Sequence, residues 1–107
     1  MVGDSMGALE QELLGERVAT LARIAARFDA ALAAWNAVEA GTLPPLSSLG
    51  AQLARRVELR AAAAEALWML LVQRESIGLR DHRSVLEDVP REIRIRAGLR
   101  RPASRRT

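Results

Sequence analysis

The sequence predicts an all-α protein: a long antiparallel helical hairpin, two short C-terminal helices and a disordered basic tail. Three observations carry that expectation. Of 107 residues, 20 are Ala and 16 are Leu, and only 3% are aromatic; Ala and Leu lose little side-chain freedom in a helix, whereas β-branched and aromatic strand formers are scarce. From Leu14 the apolar positions run Leu14, Val18, Leu21, Ala25, Phe28, Leu32 and Trp35, alternately four and three residues apart, which is a strict seven-residue repeat. Glycine and proline then fall between the apolar runs, at Gly41 with Pro44-Pro45, at Gly78 and at Gly98.

Helix one is expected over about residues 5–40. Asp4 or Ser5 can cap it by accepting the free amides of the first turn, and Glu10, Glu12 and Glu16 lie toward the positive end of its dipole. Ile24, Ala31 and Val38 widen the apolar stripe to the breadth of a bundle helix. Gly41 suits the position after the last turn, and a Pro-Pro pair cannot continue a helix.

Helix two is expected over about residues 47–77, with Ser47 or Ser48 as its cap and a stripe of Leu49, Leu53, Val57, Ala61, Ala64, Trp68 and Leu71. Residues 66–72, Ala-Leu-Trp-Met-Leu-Leu-Val, are apolar all round, so every side of that turn asks for a cover. A short turn makes the two helices antiparallel neighbours. Setting Glu39 opposite Ser48 predicts Leu21 against Leu67, Phe28 near Arg60 and Ala61, and Trp35 beside Leu53.

After Gly78 the texture becomes polar. Two short helices are expected over about residues 81–88, capped by Asp81, and about 89–97, opened by Asp88 and Pro90 and closed by Gly98. The alternation Ile93-Arg94-Ile95-Arg96 is also strand-like, but it has no evident partner strand. Residues 1–98 are thus read as a single helical domain, and residues 99–107 as an Arg-rich tail with nothing to bury.

Gln73-Arg74-Glu75, Gly78-Leu79-Arg80-Asp81-His82, Val89-Pro90, Glu92 and Gly98, together with Leu9-Glu10-Gln11-Glu12-Leu13, resemble a family of small uncharacterised bacterial helical proteins. The resemblance implies a small helical domain and carries no activity, catalytic residue or ligand with it.

The residue inventory excludes much chemistry. With no Cys there is no disulfide, thiolate metal site or cysteine nucleophile. All 16 basic residues are Arg, so Schiff-base lysines and the lysine of a phosphate-binding loop are absent too. His82 is the single His, and its neighbours Asp81 and Ser84 do not converge on it from one helix turn as a triad requires. No Glu is followed by His at the spacing of a bundle metal site. The expectation is therefore no enzyme, no metal and no cofactor. Trp35 and Trp68 read as core residues, and Glu75 with Arg74, Arg80 and Asp81 as a structural charge cluster at the open end of the hairpin. Neither a positively charged leader nor a membrane-length apolar run is evident, so a cytoplasmic location is expected.

Two interaction surfaces remain. Leu67, Trp68, Met69, Leu70 and Leu71 are the candidates for a homodimer interface or a contact with another helical protein, because a two-helix hairpin cannot cover them all. Residues 91–107 hold seven Arg against the single acid Glu92, while residues 1–90 are net acidic. Arg94, Arg96, Arg100, Arg101, Arg105 and Arg106 are therefore candidates for phosphate contact with nucleic acid; an anionic lipid surface or the acidic first helix is the other destination that their charge allows.

Overall fold

The computed structural model describes residues 7–44, 46 and 48–99. The expected caps Asp4, Ser5 and Ser47, and the tail from Arg100 onward, lie outside them. Four helices follow in order: α1 (Ala8–Glu39), α2 (Leu49–Ser76), α3 (Arg83–Leu86) and α4 (Arg91–Arg96). The described residues contain helices and no strand, and α1 packs along α2 as the antiparallel hairpin.

Local chemistry accounts for the helix ends. Ser48 Oγ accepts the Ala51 amide at 3.1 Å and caps α2, while Glu10 reaches back from the first turn of α1 to take the Gly7 amide at 2.9 Å. At the other end of α2, Gly78 has φ 93°, a region that side chains with a Cβ rarely enter. There its amide bonds to the Glu75 carbonyl and the Leu79 amide to the Arg74 carbonyl, which is the Schellman closure of a helix. α1 and α4 end with the same pair of bonds.

The hairpin register differs from the expected one. Glu39 is level with Arg56, not Ser48, and Leu21 shares a cavity wall with Leu70 and Arg74, beyond Leu67. The cause is the connection. It does not turn sharply but runs alongside the first two turns of α2, where Gln52 donates to the Leu46 carbonyl at 3.1 Å and Arg55 to the Pro44 carbonyl at 3.3 Å. α2 is thereby slid along α1 by about one to two turns, away from the N-terminal end of α1.

The core is formed by Phe28 and Trp35 from α1, by Ala63, Ala64, Ala66, Leu67, Leu70 and Leu71 from α2, and by Val89 and Ile93. α4 lies on α2 beside α1, so Leu67 and Ile93 are enclosed completely. Leu99 also packs against this cluster, contrary to the expectation that nothing after residue 98 is buried. Trp68 corrects the sequence reading in the other direction. Whereas Trp35 is 1% exposed, Trp68 is 55% exposed, because the buried arc of α2 centres on Ala63, Leu67 and Leu70 and leaves Val57, Ala61, Trp68 and Val72 at its outer edge.

Candidate interaction surface

Three of the five interface candidates are used by the fold itself. Leu67, Leu70 and Leu71 are buried against α1 and α4, so a dimer formed through them would have to open the core. Met69 is partly exposed and Trp68 projects outward. Trp68 stands over a groove between α2 and α4 lined by Ala61, Ala64 and Ala97 and edged by Glu58, Glu65 and Arg96.

The larger apolar exposure is one the sequence reading did not single out. Every residue from Ala8 to Ala19 is exposed. Leu9 is 68% and Val18 51% exposed, with Leu13 and Leu14 between them. The seven-residue stripe that buries Phe28 and Trp35 thus continues through Leu14 and Val18 past the end of α2. These three turns protrude because the slid register removes the segment of α2 that would have faced them. The stripe itself was visible in the sequence; its lack of a cover among the described residues depends on a loop conformation that the sequence does not announce.

At the open end of the hairpin Arg74, Glu75 and Asp81 of the expected charge cluster come together around His82, with Arg83 joining them in place of the expected Arg80. Arg74 Nε donates to His82 Nδ1 at 3.1 Å, Arg74 also donates to the Asp81 carbonyl at 2.9 Å, and His82 Nε2 faces Glu75 Oε2 at 2.9 Å. A guanidinium has only donors, so Nδ1 must accept and the ring proton must reside on Nε2, which then donates to Glu75. The imidazole is enclosed, its side chain 12% exposed. Asp81 Oδ1 accepts the Arg83 amide at 3.1 Å, opening α3, and its carboxylate pairs with the Arg83 side chain at 2.6 Å. Those bonds hold the Asp81 carboxyl well below the usual carboxylate range and raise the Arg83 guanidinium correspondingly. These bonds anchor the α2–α3 connection.

Among the described residues, no group of three or more His, Asp or Glu side chains is placed to hold a metal ion. No helix among them is long and apolar enough to cross a membrane. Of the phosphate-contact candidates, Arg96 is exposed and Arg94 partly buried on α4; Arg100, Arg101, Arg105 and Arg106 lie outside the described residues. Compared with family models, curated proteins and solved structures, the chain matches none. The resemblance carried by residues 9–13 and 73–98 is therefore neither supported nor opposed by these comparisons.

Proposed function

We propose that this chain is a small helical protein–protein interaction or structural protein that associates with itself. The observation that supports the reading is the set Leu9, Leu13, Leu14 and Val18, exposed on turns of α1 against which no other helix of the described residues lies. Leaving so many large aliphatic side chains in water forgoes the main favourable term in folding. Paired apolar ridges on a regular helix are also an ordinary form of a helix-pairing surface. The test is the solution mass of nuclease-treated protein by light scattering at moderate salt, over a range of concentrations. A mass near twice the 11.7 kDa of one chain supports the proposal, and a constant monomer mass overturns it.

A second reading, an accessory that contacts nucleic-acid phosphates, is favoured by the exposure of Arg96 on α4, where the basic end of the sequence begins. It predicts duplex DNA binding that weakens with salt at a log–log slope of about 0.9 per neutralised phosphate. Absence of binding at low salt removes it.

A further inference from the structure

We infer that the protruding turns of α1 pair antiparallel with the same turns of a second copy of this chain, about a two-fold axis between Leu13 and Leu14. The inference rests on the self-association reading above and gives it a surface, an orientation and a register.

The orientation follows from the hairpin. Leu14 and Val18 lie on the stripe that, further along α1, packs against α2. The helix that completes this stripe therefore continues the line of α2, and running it antiparallel to α1, as α2 runs, points the positive N-terminal end of a second copy's α1 at the negative C-terminal end of α2.

The register follows from charge. Glu10 and Arg17 are seven residues apart, so they lie on one line of the helix between the Leu9–Leu13 and Leu14–Val18 ridges. With the axis between residues 13 and 14, the two-fold keeps each ridge on its own side, so Leu13 meets Leu13 of the second copy and Leu14 meets Leu14. Glu10 meets Arg17 of the second copy, and two-fold symmetry makes this contact twice. A parallel pair would instead set Glu10 against Glu10 and Arg17 against Arg17. Glu12 and Glu16 point away from this face in either case, toward solvent.

A chain without cysteine allows a clean test. Under mild oxidation Leu13→Cys should yield a covalent dimer, because the paired positions are offset by a single residue rise. Leu9→Cys should not, because its two copies lie about 14 Å apart along the axis, beyond disulfide reach. Leu14→Cys should cross-link as Leu13→Cys does, because its paired positions are offset by the same single rise. In parallel, E10R and R17E should each weaken dimerisation by about tenfold, and the E10R/R17E double variant should recover it, since each reversal alone creates two like-charge contacts. Circular dichroism of each variant checks that α1 is retained. Dimer mass with ready Leu9→Cys homodimers, or with charge reversals that change nothing, overturns this interface and leaves self-association standing. A constant monomer mass overturns both.

Discussion

Arg56 of α2 holds Glu39 of α1 by two hydrogen bonds, from Nε to Oε2 at 2.7 Å and from a terminal nitrogen to Oε1 at 3.2 Å. The same guanidinium lies over the Trp35 ring, 5.3 Å from its centroid, and comes within 3.8 Å of Glu92 on α4. One exposed side chain thus joins three helices at the level where the register is set, roofing the largest buried side chain of the core.

Two contributions of Arg56 can be separated by salt. An exposed ion pair is screened, whereas contact of a guanidinium with an aromatic face depends far less on the bulk electrolyte. Glu39→Gln should lower the urea midpoint slightly at low salt and not at all at high salt. Arg56→Met should lower it more, and part of that loss should persist in high salt. If salt erases both effects, Arg56 contributes to the fold through charge alone.

α4 is short, yet it encloses the centre of the hairpin through Ile93. Ile93→Ala should therefore destabilise the whole chain by about 2 to 5 kcal/mol, as a fully buried aliphatic truncation does. Trp68→Ala should cost under about 1 kcal/mol, because that ring is more than half exposed. Equilibrium urea unfolding followed by far-ultraviolet circular dichroism measures both. Equal losses for the two variants would mean that Trp68 is buried in solution, by this chain or by another.

These contrasts mark where the sequence was legible. Helix ends were, because they are local: Ser48 caps α2 and glycines close three helices within a few residues of the expected positions. Phe28 and Trp35 were placed in the core by period alone. Register was not legible. The position of Arg56 opposite Glu39 depends on Gln52 and Arg55 holding the carbonyls of the connection, and no periodic signal encodes a loop that lies along a helix. Trp68 followed the same error, since a stripe read with a small angular offset exchanges an edge position for a central one. The His82 cluster was read as charges at one end of the hairpin; its central imidazole was missed because Arg74 and Glu75 meet it only after the chain reverses at Gly78.

The His82 geometry dictates a tautomer. With Arg74 donating to Nδ1, the neutral ring carries its proton on Nε2. Nitrogen-15 chemical shifts of the single imidazole should show this tautomer for the neutral ring. Arg74→Ala should mix the two tautomers, because the donor that selects one is gone, whereas Glu75→Gln should leave the assignment unchanged. A ring protonated on Nδ1 in the neutral protein contradicts the arrangement.

Asp81 gives stability a defined pH dependence. Its carboxyl is held well below the usual range by the Arg83 side chain first and the Arg83 amide second. A depressed carboxylate stabilises the fold fully above the value it has in the unfolded chain, about 4, and that contribution is lost as pH falls from there through the lower folded value. Asp81→Asn retains an oxygen to accept the Arg83 amide but has no charge to lose. The difference in urea midpoint between wild type and Asp81→Asn should be constant near neutrality, shrink below pH about 4 and close in stronger acid. The difference should be small, since both partners are exposed, and it should diminish with added salt. A difference that does not change with pH would mean that the charge of Asp81 contributes nothing to the fold.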